Sequence, residues 1–143
     1  MERDLENRVG YQIGVVAHLM HNQLNQKLAD YGVTHAQFKV LYQLKEHQEL
    51  VQSNLQNRLY IKASTMNGII ESMLKNELII KKDSEKDRRS KVITLTTKGE
   101  QLEEKLWNEI GKMDTELTQI FSDEEKRSFV SYLRRIVQSY GKQ

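Results

Sequence analysis

Between residues 78 and 96 the hydrophobic pattern of this chain changes period, and that change limits what the chain can fold into. Leu78-Ile79-Ile80-Lys81-Lys82 and Lys91-Val92-Ile93-Thr94-Leu95-Thr96 are short runs rich in β-branched residues, which predicts two strands. The segment between them, Asp83-Ser84-Glu85-Lys86-Asp87-Arg88-Arg89-Ser90, is polar throughout. The strands therefore close into a hairpin, and a loop this long predicts a protruding tip rather than a tight turn. Everywhere else apolar residues recur at steps of three and four, the helical spacing. No proline interrupts them. One hairpin set into a helical chain of 143 residues predicts a mainly α fold of single-domain size.

The helices can be placed from their stripes and caps. Leu5, Val9, Ile13, Val16, Met20, Leu24 and Leu28 form one stripe over 5–30, a helix of roughly 39 Å at 1.5 Å per residue. Tyr31-Gly32 stops it. Thr34 and Gln37 have the spacing of a capping box and open a helix using Phe38, Leu41 and Leu44. A short helix fits 52–59, with Leu55 and Leu59 inward. A further helix fits 62–76. Its inner face is Met66, Ile69, Ile70, Met73 and Leu74, the methionines reading as core filler. Its outer face is Ser64, Thr65, Asn67, Gly68, Glu71, Ser72 and Lys75. After the hairpin, Thr97 with Glu100 predicts a second capping box, followed by a stripe through Leu102, Leu106, Trp107, Ile110, Met113, Leu117 and Ile120. Ser122 with Glu125 predicts a third, before Phe129, Val130, Leu133, Ile136, Val137 and Tyr140. A helix pair followed by a hairpin is a winged helix-turn-helix plan. The outer helices are too long for so small a middle, so their stripes predict a second copy of the chain, a homodimer.

Charge and composition narrow the function. Residues 51–99 hold ten Lys or Arg against five Asp or Glu, while the remainder holds twelve against fifteen. A basic middle between acidic flanks predicts a local anionic partner. With no cysteine, disulfides, thiolate zinc sites, thiol nucleophiles and thiol redox sensing are excluded within this chain. No Ser-His-acid arrangement and no glycine-rich phosphate loop is present, so no enzyme and no cofactor are expected. His18 and His21 lie one turn apart, with His35 and His47 on or near the next helix. No third ligand is fixed by spacing, so they read as surface histidines and no metal is expected. No apolar run approaches 18 residues and the first residues lack signal-peptide character, which predicts a cytoplasmic protein with no membrane partner.

The helix over 62–76 is the recognition candidate, because a major groove about 12 Å wide admits one α-helix. Ser64, Thr65 and Asn67 are short, hydrogen-bonding and on its exposed face. Gly68 permits close backbone approach, and Lys62 stands where a phosphate would lie. At the hairpin tip, residues two apart share a side, so Asp87 is expected to hold the Arg89 guanidinium and aim it at a narrow minor groove. Lys81, Lys82, Lys86 and Lys91 add a phosphate-directed field, while Arg88, facing the other way, either ties the wing to the body or touches phosphate.

Ser64-Thr65-Met66-Asn67-Gly68-Ile69-Ile70, Asp87-Arg88-Arg89-Ser90-Lys91 and Leu95-Thr96-Thr97-Lys98-Gly99 together resemble the MarR (multiple antibiotic resistance regulator) family of bacterial transcription factors. The resemblance implies a homodimer built by helices in 1–33 and 99–143, with a DNA-binding lobe over 34–98. It implies a cytoplasmic, nucleoid-associated bacterial or archaeal repressor of a near-palindromic operator. On that pattern Ser64, Thr65 and Asn67 fall at major-groove positions and Asp87 and Arg89 at the wing, and with Lys62, Gly68, Ser72, Lys86, Arg88 and Lys91 from the residue reading they are the expected double-stranded DNA contacts. It also implies a small aromatic or anionic effector, for which Tyr11, His18, Tyr31, His35, Phe38 and Tyr42 are the candidates by position. The chain departs from the family where glycine usually follows the recognition helix. It has Lys75-Asn76-Glu77-Leu78, and Asn76 is expected to take the left-handed conformation. The competing reading is a winged-helix module for protein contacts, without an operator.

Overall fold

The computed structural model describes residues 3–87 and 89–141. The chain divides into two compact units, residues 1–107 and 108–143. The order of elements is α1 (Val9–Ala29), α2 (His35–His47), β1 (Glu49–Val51), α3 (Gln52–Leu59), α4 (Ala63–Lys75), β2 (Ile79–Asp83), β3 (Lys91–Leu95), α5 (Thr97–Thr118) and α6 (Asp123–Gly141). This is a mainly helical winged helix-turn-helix fold with a small antiparallel sheet.

In the first unit, α1 starts at Val9, so Leu5 lies outside the helix. It ends where Gly32 takes φ +69°, as the stop signal predicts. The capping box at α2 forms as expected. Thr34 Oγ1 accepts from the Gln37 N–H at 3.1 Å, and Gln37 Oε1 accepts from the Thr34 N–H at 3.1 Å. Gln37 is buried, and its Nε2 donates to Ser72 Oγ at 3.1 Å, tying the start of α2 to α4. Leu28, Val40, Leu41, Leu44, Leu55, Met66, Ile70, Met73, Ile79, Ile93 and Leu106 make the core around that tie. Filling such a core with branched side chains contributes roughly 1.5–3 kcal/mol per residue.

Among the described residues the sheet has three strands, one more than the hairpin alone supplies. The order is β1-β3-β2, with Leu50 opposite Ile93 and Lys81 opposite Ile93 on the other side. The three-residue β1 is too short to show alternation in the sequence, and its partner lies more than forty positions away. The turn after α4 also differs from expectation. Asn76 stays at φ −85°, and Glu77 takes the left-handed conformation at φ +60°. Glu77 N–H then reaches Leu74 O and Leu78 N–H reaches Met73 O, both at 3.0 Å. This satisfies the last carbonyls of α4 in the manner of a Schellman cap.

The helix after the hairpin is capped one residue earlier than expected. Thr96, rather than Thr97, accepts from the Gly99 N–H at 3.0 Å, and it donates to Glu77 O at 2.7 Å. The capping hydroxyl of α5 thus also closes the turn after α4. On α5, Glu103 is buried, and that burial pushes its carboxyl above the usual carboxylate range. In the second unit the predicted box forms. Ser122 Oγ accepts from Glu125 N–H at 3.1 Å, and Glu125 Oε1 accepts from Ser122 N–H at 2.9 Å. Those bonds from Ser122 hold the Glu125 carboxyl below its ordinary range. Phe121 stacks on Phe129 at 6.1 Å. Among the described residues α6 buries no side chain, and Phe129, Val130, Tyr132, Ile136, Val137 and Tyr140 stand exposed on it. On α1 the same is true of Val9, Ile13, Val16, Leu19 and Met20.

Candidate nucleic-acid interface

Helices α3 and α4 are joined by Tyr60, Ile61 and Lys62. Tyr60 takes φ +56° to end α3, and its N–H and that of Ile61 both return to Gln56 O. Lys62 is the N-cap of α4. It contributes no capping hydrogen bond, and the first turn of α4 holds no acidic residue. The uncapped N–H groups at that end favour an anion. The inner face of α4 is Met66, Ile70 and Met73, all buried, which turns Ser64, Thr65, Asn67 and Gly68 to solvent. A methyl group built at Gly68 meets nothing within 4 Å, so a smooth approach to that part of the helix is open. Ser72 departs from the other predicted contacts. It is half-buried and its hydroxyl receives Gln37, so it serves the α2–α4 packing.

Asn67 has a neighbour that pattern reading did not single out. Gln52, the first residue of α3, donates from Nε2 to Asn67 Oδ1, and the same nitrogen lies 3.4 Å from Gln56 Oε1. The only sequence trace of this is a glutamine at the start of one helix and another a turn later. Nothing in helical periodicity relates either to α4.

The wing projects from β2 and β3. Its base is closed by Ser84 N–H to Ser90 O at 3.1 Å and by an ion pair between Lys91 and Asp83. Lys82 pairs with Glu49 at 3.6 Å across the sheet. Lys91, expected to face phosphate, therefore shares its charge with Asp83. At the tip, Asp87 makes a different contact from the one expected. Its Oδ1 accepts from the Arg89 backbone N–H at 3.0 Å, its Oδ2 from the Ser90 hydroxyl at 3.4 Å, and its carbonyl from the Ser90 N–H at 3.1 Å. The carboxylate shapes the turn that carries Arg89 and does not hold the guanidinium. Among the described residues Lys62, Lys86 and Arg89 are exposed and make no ion pair. Arg88 lies outside the described residues.

The six effector candidates lie in different surroundings. Tyr11 and His18 border an apolar hollow of about 380 Å³ along α1, with Gly10, Gly14, Val15 and Leu19. Tyr31 borders a more polar one of about 400 Å³ with Lys98, Gln101 and Lys105. Phe38 is in the core. Tyr42 stacks on Trp107 with ring centroids 5.5 Å apart, although Trp107 itself remains exposed. His35 meets the edge of His21 at 4.7 Å. Burial, with help from Lys39 and His21, pushes the His35 imidazole down to about 4, so it is neutral at physiological pH. The described residues hold no group of three or more His, Asp or Glu that fits a metal ion. No described helix is long and apolar enough to cross a membrane.

Comparison with known proteins agrees with this geometry. The model of the MarR family matches residues 33–91, which span α2 to the start of β3. An uncharacterised helix-turn-helix transcriptional regulator of Bacillus subtilis, YwoH, is 28% identical over 90% of this chain and 93% of its own. The organic hydroperoxide resistance transcriptional regulator of the same organism is 32% identical over 71% of this chain and 69% of its own. The crystal structure of the Staphylococcus aureus MepR–DNA complex superposes with a TM-score of 0.86 at 26% identity, covering 94% of this chain and 98% of that one. With a wing, a recognition helix and relatives of this extent, the chain belongs to the MarR family of winged-helix transcriptional regulators, which bind DNA and are not enzymes.

Proposed function

We propose that the protein is a cytoplasmic, nucleoid-associated repressor that binds a near-palindromic operator as a homodimer. The observation that carries this reading is the pairing of two surfaces in the first unit. One is the exposed, uncapped start of α4, with Lys62, Ser64, Thr65, Asn67 and Gly68 turned to solvent. The other is a wing tip that presents Arg89, exposed and without an ion pair among the described residues, on a turn built by Asp87. In this reading α4 enters the major groove and Arg89 the adjacent minor groove, where a narrow A·T-rich stretch concentrates negative potential. Lys62, Lys86 and Arg88 contact phosphates.

The dimer is supported by the apolar residues left exposed on α1 and on α6, which a monomer would hold against water. Residues 1–33 and 99–143 supply the dimer helices and 34–98 the reading lobe. Two-fold symmetry then sets half-sites one helical turn, about 34 Å, apart. An effector acts by favouring another spacing. It shifts the equilibrium by no more than its differential affinity for the two. Tyr11 and His18 offer an aromatic compound an apolar seat, and Tyr31 with Lys98 and Lys105 offers an anionic one.

The test is selection of bound genomic fragments by purified protein at near-physiological salt, with Arg89→Ala alongside. The expected result is a near-palindrome that the variant binds more weakly, above all at A·T-rich flanks. Random fragments from both proteins would refute operator recognition.

A further inference from the structure

The amide of Asn67 does not face the groove on its own terms. A carboxamide nitrogen carries two hydrogens. The Gln52 nitrogen lies within hydrogen-bond reach of two carbonyl oxygens, Gln56 Oε1 on its own helix and Asn67 Oδ1 on the next. Gln52 is half-buried at the start of α3 and Asn67 is exposed, so the hydrogen bond runs from the body of the lobe out to the reading surface. It engages the oxygen of Asn67 and leaves the NH₂ group as the part free to meet a partner. An unconstrained asparagine offers donor and acceptor side by side, the pattern that matches N7 and N6 of adenine. Asn67 held in this way offers donors. That sense also suits an anionic partner, since a donor aimed at DNA meets favourable potential and an acceptor does not.

We propose that Gln52 is a specificity-determining positioning residue. By taking one lone pair of Asn67 Oδ1 and fixing the rotation of that amide, it makes Asn67 a reader of acceptor edges, O6 and N7 of guanine or O4 of thymine, and disfavours the two-point contact with adenine. Gln52 touches no base in this scheme and acts only through Asn67. The proposal rests on the DNA-binding reading above and deepens it.

Substituting Gln52 by a group of opposite polarity tests this. A carboxylate can only accept, so in Gln52→Glu the Asn67 amide must turn its NH₂ inward and present its oxygen. Base preference is measured by selection from a randomised operator with wild type, Gln52→Glu, Gln52→Ala and each in an Asn67→Ala background. At one base pair per half-site, Gln52→Glu is expected to move the preference from guanine or thymine to cytosine or adenine, whose exocyclic amines donate. Gln52→Ala is expected to let adenine gain there. A good base contact corresponds to roughly 5- to 150-fold discrimination, which sets the size of the change. In the Asn67→Ala background neither substitution is expected to alter the pattern.

A uniform loss of affinity with the base pattern unchanged would overturn the proposal, because it would make Gln52 a packing or phosphate-facing residue. A wild type that selects a clear operator, unaltered by Gln52→Glu, refutes the positioning role alone. A wild type that selects no sequence refutes the DNA reading and this role with it. A second measurement needs no DNA. In the free protein the Gln52 side-chain amide protons are expected to exchange more slowly than those of Asn67, and equal exchange would overturn the proposal.

Discussion

Replacing Gly99 by alanine tests how the wing and α5 are joined to the recognition helix. A Cβ at this position would lie 2.1 Å from the carbonyl oxygen of Leu78, 3.1 Å from its carbon and 3.3 Å from Leu95 Cδ2. A comfortable carbon–oxygen contact is about 3.3 Å, so the start of α5 and the Leu78 carbonyl must part by roughly 1 Å. Neither is free to do so. Leu78 O accepts from Thr96 N–H at 3.1 Å, and Thr96 Oγ1 bridges the Gly99 N–H and Glu77 O. Overpacking of this kind costs about 1–3 kcal/mol, and a strained or broken hydrogen bond adds about 1 kcal/mol. Alanine returns at most about 1 kcal/mol as a better helix former. The net expectation for Gly99→Ala is a loss of about 1–3 kcal/mol. Gly68→Ala is the control, because a methyl group there would meet nothing within 4 Å and the position sits inside α4. That variant should gain about 1 kcal/mol from helix propensity. It should bind operator more weakly if backbone approach at Gly68 matters. Urea unfolding followed by circular dichroism, at one fixed protein concentration because self-association couples stability to concentration, separates the two. A Gly99→Ala midpoint equal to that of wild type would refute the account of this junction.

Three further outcomes follow from local geometry. Glu77→Gly should stabilise the protein by about 1 kcal/mol, since a residue other than glycine held at φ +60° costs about 1–2 kcal/mol and glycine gives back part of that gain as chain entropy; urea unfolding reads it. His35 is neutral when folded and titrates near 4, whereas it takes a proton near 6.5 when unfolded. The unfolded state therefore binds more protons in that window, so stability should fall as pH drops from about 6.5 to about 4, and His35→Gln should flatten the slope between pH 6.5 and 5. Asp87→Asn should keep most of the operator affinity, because an amide oxygen can still accept the Arg89 N–H, while Asp87→Ala should lose it; equal losses in a binding titration would restore a role for the carboxylate charge.

The parts of this fold that were legible in the sequence are those whose physics is local. The boxes at Thr34–Gln37 and Ser122–Glu125 close within four residues, and both formed. Periodicity placed α3 at its observed bounds and α4 within a residue of its own at each end, because burial of Leu55, Met66, Ile70 and Met73 imposes the spacing. The misplaced features depend on distant partners. The strand Glu49–Val51 exists through β3, Thr96 wins the cap from Thr97 because Glu77 O offers its hydroxyl a second bond, and Glu77 takes the strained conformation because Asn76 continues the helix.

The same division runs through the candidate interface. Which face of α4 is outward follows from its own periodicity, so Ser64, Thr65, Asn67 and Gly68 could be named from the sequence. What those residues can say to a base does not follow from the helix alone. Ser72 shares the polar composition of that face, yet Gln37 draws its hydroxyl into the packing against α2. The Asn67 amide offers a donor and an acceptor in isolation, and Gln52 of α3 donates to its oxygen. Asp87 reads as an arginine clamp from spacing, yet a carboxylate in a short loop finds the N–H two residues on sooner than the end of a long, mobile side chain. Each case has one cause: a small polar side chain takes the nearest unmet backbone or carboxamide group. The chemistry of a reading helix is then written as much by the residues packed behind it as by those it shows.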